Sequence, residues 1–570
     1  MLYTHMGIIC TMENKIIARK FKLLAQLMEL HGENPFKVRA MTNAAFKLDK
    51  LPFKIVETSE NTLSSEQGIG KSIASKVWEL IQHNCIQELE DLLAKTPSGI
   101  LEMLSIKGLG PKKILIIWKT LSIETIGELY YACNENRLIE AKGFGLKTQE
   151  EIKKSIEFAM ANEGFFLYAQ VEKIATTIFQ EIRDRMSPVN QLEFTGDFRR
   201  KTEVLHSIDF LTTAPLDTIL SIVQAVPSLI KFDTTNQEVQ AIHESGLALR
   251  FIVCAADNFA KQWLISTGNE QHVTWLTAQL HGTIPPAENE TAIYQYAQLE
   301  FIEPELREGL NEIQWATTHT LPKLIDYQDL KGSLHNHSTY SDGVHSLEEM
   351  ARYCKEKLQL NYLGICDHSQ SAVYAKGLSE QNVLQQWAEI DALNQKLAPF
   401  KIFKGIESDI LSDGSLDYSE TILKGFDFVV ASIHSNLKMD EEKATKRLIK
   451  AIENPYTTIL GHPTGRLLLS RKGYPIDYKK VIDACAANQV VIEINANPLR
   501  LDLDWRWHQY AVQKGVILSI NPDAHRVEGF SDMHYGTLIA RKGGITAHQC
   551  LNCLNEEQLT HYFAKRKGGI

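Results

Sequence analysis

No apolar run in this 570-residue chain is long enough to cross a membrane, and its first residues show no charged, apolar, small-residue signal pattern. Cysteine is sparse and unordered. There are nine, an odd number, scattered from Cys10 to Cys553, and Cys550-x-x-Cys553 lacks the second pair that would complete a zinc site. A disulfide-stapled scaffold is therefore excluded, and a reducing, cytoplasmic setting is expected. Net positive charge is missing too: the balance is −10, which at first argues against a nucleic-acid partner. Its distribution says otherwise. Residues 1–160 hold 21 Lys+Arg against 19 Asp+Glu, residues 161–330 hold 11 against 23, and residues 331–570 hold 28 of each. The acidity sits in the middle third alone. The remaining composition is ordinary for a globular protein, 44% hydrophobic and 23% charged, at a length that suits three or four domains.

From Met12 a helical pattern begins with Ile16, Ile17, Phe21, Leu24, Leu27 and Met28. Further helices are punctuated by three turns of one form: Gly68-Ile69-Gly70-Lys71, Gly108-Leu109-Gly110-Pro111-Lys112 and Gly143-Phe144-Gly145-Leu146-Lys147. Glycine permits the tight turn, and the next helix offers unpaired N–H groups and the positive end of its dipole. That combination suits a phosphate and reads no base. The turns resemble the helix-hairpin-helix element of DNA-repair proteins, which implies sequence-independent binding of DNA through its backbone. Residues 32–45, from Gly32-Glu33-Asn34-Pro35-Phe36 onward, are similar to the N-terminal helical domain of bacterial family-X DNA polymerases. Some members use a lysine there to attack abasic sugar. By position it corresponds to Lys76, which is equally read as a solvated helix lysine.

The stretch Thr195-Gly196-Asp197-Phe198-Arg199-Arg200, leading to Ser207-Ile208-Asp209-Phe210, resembles the family-X palm motif. By that resemblance Gly196, Arg199 and Arg200 would face a nucleotide, and an Asp-x-Asp pair with a third carboxylate would hold two Mg²⁺ ions. The sequence departs from this pattern. The first Asp is Ser207, the Gly-Ser is Gly196-Asp197, and the third Asp corresponds to Ala248. Asp209 alone is a poor cage for two divalent ions, and the surrounding acidity would repel template and nucleotide. Working magnesium at the palm is not expected.

Beyond residue 331, seven β-prone runs alternate with helical patterns, which implies parallel strands closing into a barrel. The residues just past the end of each run matter more. In order come His335, His337 and Asp342, then Asp367-His368, Glu407, His434, His462 and Asp523-x-His525. Barrel enzymes build their sites from the loops at these strand ends, so these residues describe one cup of metal ligands. This part resembles a PHP (polymerase and histidinol phosphatase) domain, with all nine ligand positions matched. The resemblance implies one metal on His335, His337, Glu407 and Asp523. A second would lie on Glu407, His434 and His462, and a third on Asp342, His368 and His525. Mn²⁺ is favoured, with Zn²⁺ or Fe²⁺ open. Arg466 and Arg471, just after His462, are either a phosphate clamp or plain loop charges.

The whole chain thus resembles the bacterial family-X DNA polymerases with a C-terminal PHP domain. The expected architecture is multidomain. All-α helix-hairpin-helix domains span 1–95 and 96–165, an α+β nucleotidyltransferase-like palm and thumb spans 166–315, 316–330 is a linker, and 331–570 is a distorted seven-stranded α/β PHP barrel. The expected function is metal-dependent phosphoester hydrolysis on DNA, at gapped, nicked or single-stranded 3′ ends, at abasic sites or at 3′-phosphates. The alternative is an active gap-filling polymerase edited by that nuclease.

Overall fold

The computed structural model describes residues 12–106, 108–139, 141–161 and 164–568; Cys10 lies outside them. The chain forms two compact units, one of residues 1–133 and 138–156, the other of 134–137 and 157–570.

Among its described residues the smaller unit holds helices and turns, with no strand. Its first two helices, Asn14–Leu30 and Pro35–Lys50, are separated by a turn that Asn34 caps by accepting from the Phe36 amide, with Pro35 at the first helical position. The expected apolar stripe of Ile17, Phe21, Leu24, Leu27 and Met28 is buried, whereas Ile16 stands 44% exposed. Gly68, Gly108 and Gly143 all take left-handed φ, between +85° and +92°, which a side chain would resist. Each turn delivers the chain into a helix: Lys71–His83, Pro111–Lys119 and Leu146–Ala161.

In the larger unit, a short antiparallel pair, β1 (Phe166–Leu167) with β3 (Val204–Leu205), precedes a five-stranded sheet. That sheet contains β2 (Leu192–Thr195), β4 (Ser207–Thr212), β5 (Leu229–Thr234), β6 (Glu238–His243) and β7 (Ala248–Val253), in the order β2-β4-β7-β6-β5. Only β4 and β7 run parallel, with Ser207 directly opposite Ala248. Helices Tyr168–Arg185 and Leu216–Gln224 contribute Val171, Ile178, Ile219 and Val223 to the core beneath it.

The stretch read as a linker is packed. Ala316, Ile325 and Leu330 are buried; the Ile325 amide donates to the Ile545 carbonyl, and its own carbonyl accepts from Arg541. Arg541 donates to Glu305, and Arg307 to Glu290, so the acidity of this third is partly internal charge pairing.

The C-terminal part is a nearly closed parallel barrel of seven strands in sequential order. They are β8 (Gly332–Ser333), β9 (Tyr362–Ile365), β10 (Lys401–Asp409), β11 (Phe428–Ser432), β12 (Ile459–Leu460), β13 (Val491–Asn495) and β14 (Leu518–Asn521). First and last strands meet through an Asn336–Ala524 bridge and the Asn521 side chain, which accepts from the Leu334 amide. Strands buried on both faces need no polar alternation, which is why they read as short continuous apolar runs. Among the described residues no helix is long and apolar enough to cross a membrane.

Candidate metal centre and nucleic-acid interface

The cup opens at the C-terminal ends of the barrel strands. Past β8 the chain bends at Leu334; Asn336 then bridges to Ala524 and donates to the Gly364 carbonyl, while His335 and His337 on either side of it both reach Glu407 and Asp523. Glu407, near the end of β10, is the hub. Its Oε1 lies 3.3 Å from His335 Nε2, 3.2 Å from His434 Nε2 and 3.0 Å from His462 Nε2. Its Oε2 lies 3.0 Å from His368 and 3.7 Å from His337. On the other side His525 and His368 reach Asp342 at 3.4 and 3.6 Å, and His337 meets Asp523 at 3.0 Å. All nine residues are brought together. His434, at 12% side-chain exposure, is the most open of the nine.

Three features make this a place for cations. First, buried polar atoms converge without hydrogen-bond partners: His335 Nε2, His337 Nδ1, Asp342 Oδ2, His368 Nδ1, Glu407 Oε2, His462 Nδ1 and His525 Nε2. Each such atom costs about 1–3 kcal/mol unless something satisfies it. Divalent ions held by imidazole and carboxylate would satisfy most of them, so the donor set fits the group, while His462 meets the cup through Nε2 instead. Second, His462 and Asp523 hold positive φ, +20° and +55°, strain of the sort that persists where a site demands it. Third, the charges are poised. Burial would lower His434 and His525, yet Glu407 and Asp409 carry His434 up to about 10, and Asp342 carries His525 up to about 10. Burial and the neighbouring His525 and His368 push His337 down to about 3. Burial alone would raise Glu407 and Asp523, but the surrounding histidines hold both well below the carboxylate range.

Protons therefore sit where metal would go. Ligation needs neutral imidazole, and neighbouring carboxylates raise His335 and His368 as well as His434 and His525, so loading near pH 7 should release protons, with His434 and His525 among their sources. Calorimetric titration with Mn²⁺ in buffers of different ionisation enthalpy measures this directly. Binding without proton release would rule out those two as ligands.

A second layer orients the first. His335 donates from Nδ1 to Glu493 at 2.7 Å, and His434 from Nδ1 to Asp409 at 2.6 Å, which turns each Nε2 toward the cup. Asp367 is no part of the cluster. It accepts from the amides and hydroxyls of Ser338 and Ser341 and from Gln386, and so pins the loop that carries Asp342. Sequence reasoning missed Glu493 and Asp409. The available signal was a carboxylate inside an otherwise apolar strand run. Replacing Glu493 with Gln should weaken metal affinity about 10- to 100-fold while leaving stoichiometry intact, by the usual cost of losing such a partner; a metal-chelator competition assay reads it.

At the palm, Ser207, Asp209 and Ala248 share one corner of the sheet. Asp209 accepts from Ser207 Oγ at 2.9 Å and from Arg250 Nε at 2.8 Å, so its charge is matched within the sheet. Gly196, at φ +62°, lies against it, and a Cβ there would stand 2.8 Å from the carboxylate. Arg199 forms a two-pronged pair with Glu290, at 2.8 and 2.6 Å, over the face of Trp263. Arg200 pairs with Glu308 and Asp197. Both guanidiniums expected at a nucleotide are engaged by the chain's own carboxylates. Asp197 is local, but Glu290 and Glu308 come from about a hundred residues away, and no local pattern announced them.

In the helical unit, Gly70 and Gly110 cap their helices without any side-chain bond, and a Cβ at Gly70, Gly110 or Gly145 would meet nothing within 4 Å. Packing within the protein does not demand glycine there, and the space in front of each turn is open. Lys71, Lys112 and Lys147 lie in the first turns of those helices. Lys76 is ion-paired to Glu88 at 2.7 Å. Arg466 bonds Asp504 and the carbonyls of Arg500 and Leu501, so it ties the loop after β12 to the one after β13.

Comparison with known proteins matches the geometry. Residues 12–86 fit the helix-hairpin-helix domain, 100–157 the SAM-like helix-hairpin-helix tandem and 333–497 the PHP domain. The DNA polymerase/3′-5′ exonuclease PolX of Bacillus subtilis is 34% identical over 562 residues, covering 95% of this chain and 97% of that protein. The chain belongs to the PolX family. A probable phosphatase of Thermoanaerobacter sp. is 30% identical over 247 residues, which cover 41% of this PolX-family chain and 95% of the phosphatase. A probable phosphatase of Vibrio atlanticus shares 28% over 212 residues, which cover 35% of this chain and 79% of that protein. The metal cup, the palm and the three glycine turns are thus parts of one PolX-type architecture.

Proposed function

We propose that this PolX-family protein acts on DNA chiefly as a metal-dependent phosphodiesterase, removing nucleotides from 3′ ends, with abasic-site cleavage and 3′-phosphate removal as further reactions of the same cup. Templated synthesis is weak or lost. The carrying observation is a contrast: eight of the nine ligand-type residues fall into close groups, with His462 on Glu407 beside them, while one carboxylate, matched by Arg250, remains at the palm.

On this reading His335, His337, Asp342, His368, Glu407, His434, His462, Asp523 and His525 hold up to three divalent ions, Mn²⁺ favoured. When bound, these ions activate water and offset the charge of the phosphate and its leaving oxygen. The chain's own part is to fix the ligands through Glu493 and Asp409, to exclude bulk water by burial, and to bring DNA by its backbone to the glycine turns. Gapped, nicked or single-stranded 3′ ends are the substrates, in the cytoplasm. The five-part division at 95, 165, 315 and 330 belongs to this proposal.

The test is release of nucleotides from a 3′-labelled oligonucleotide in Mn²⁺, set against the same reaction in EDTA. Equal release in both would overturn the reading. A second reading, a working gap-filling polymerase with a nuclease editor, is favoured by the match over 97% of a DNA polymerase/3′-5′ exonuclease.

A further inference from the structure

Four residues from the N-terminal third of the sequence, 134–137, belong with the larger unit. They lie in sequence between the second and third glycine turns, and they reach the rim of the metal cup. The carboxylate of Glu135 stands within 4.8 Å of ligand atoms of both Asp523 and His525. It is buried, as is Asn136, whose left-handed φ of +57° sharpens the turn. Arg526, next in sequence to His525, donates to the Asn134 carbonyl at 2.9 Å. On the opposite rim Arg137 lies 4.4 Å over the ring of Tyr374, which in turn packs against His368 and His434. The segment therefore spans the mouth from the His525 side to the His434 side.

Placing an anion beside Asp523 is unfavourable unless cations answer it, and His525 and Arg137 do so here. Phosphate is the other anion that this rim would hold. We propose that residues 134–137 form a lid in which Glu135 stands where a substrate phosphate would bind, so that a phosphodiester enters only when the loop leaves. The proposal rests on the phosphodiesterase reading of the cup and adds a regulator to it.

The experiment uses the full chain loaded with Mn²⁺ and titrates inorganic phosphate by calorimetry, in wild type, Glu135→Gln and Arg137→Ala. A lid closed nine-tenths of the time weakens apparent affinity about tenfold, so both variants should bind phosphate about tenfold more tightly. Mn²⁺ stoichiometry should be the same in all three. Unchanged or weaker phosphate binding in Glu135→Gln overturns the lid. So does loss of an Mn²⁺ equivalent in that variant, which would make Glu135 a ligand. A wild type that takes up no Mn²⁺ removes the cup reading and the lid with it, whereas a loaded cup with unaltered phosphate affinity removes the lid alone.

Discussion

Substituting Glu407 with Gln should abolish Mn²⁺-stimulated release of nucleotides from a 3′-labelled oligonucleotide, by about a thousandfold or more. The size reflects the contribution of a bound ion to a phosphoester transition state: several kilocalories per mole, with about 1.4 kcal/mol for each tenfold in rate. Glu407 lies within 3.7 Å of five histidines, and its two oxygens face different sets of them. A neutral amide keeps the shape but removes the one anion that touches all five histidines. His335→Ala and Asp523→Ala should fall to a similar level, since each removes a donor from the opposite wall. Metal content measured on the same preparations separates lost ligation from lost folding: the variants should remain folded by circular dichroism while holding fewer Mn²⁺ equivalents. Undiminished release in all three would sink the site.

Primer extension on a gapped duplex should give no ladder with Mg²⁺, even in an Asp523→Ala background where the nuclease cannot erase products. Two ions gripping attacking and leaving oxygens need several carboxylates. Here Ser207 and Ala248 stand opposite one another on parallel strands, with Asp209 matched by Arg250 beside them. Losing that metal clamp corresponds to at least about a thousandfold in rate. Introducing Ser207→Asp and Ala248→Asp together rebuilds the three-carboxylate corner, and Mg²⁺ binding there should become measurable. Extension should still lag, because Arg199 and Arg200 remain paired with Glu290 and Glu308. A wild-type ladder that disappears in Asp209→Ala would reverse this account and favour the working polymerase.

The seven barrel runs, the H-x-H pair and the three glycine turns were all legible from sequence, and for one reason. Each depends on local spacing: two-residue alternation along an extended strand, apolar runs in strands buried on both faces, and glycine where φ must be positive. Ser207 and Ala248 face one another across two parallel strands, a pairing that strand register carries. Much of the cup's membership was also readable, since barrel topology sends every strand end to the same face. The pairings of that cup were not. Glu493 behind His335, Asp409 behind His434, Glu290 across Arg199 and Glu135 at the rim are set by packing between segments far apart in the chain. Residue type and spacing by themselves decided which side chains could carry the chemistry here. Tertiary structure decided which of them are free to face a substrate and which are engaged by the protein's own charges, because buried charges must find partners wherever the fold supplies them.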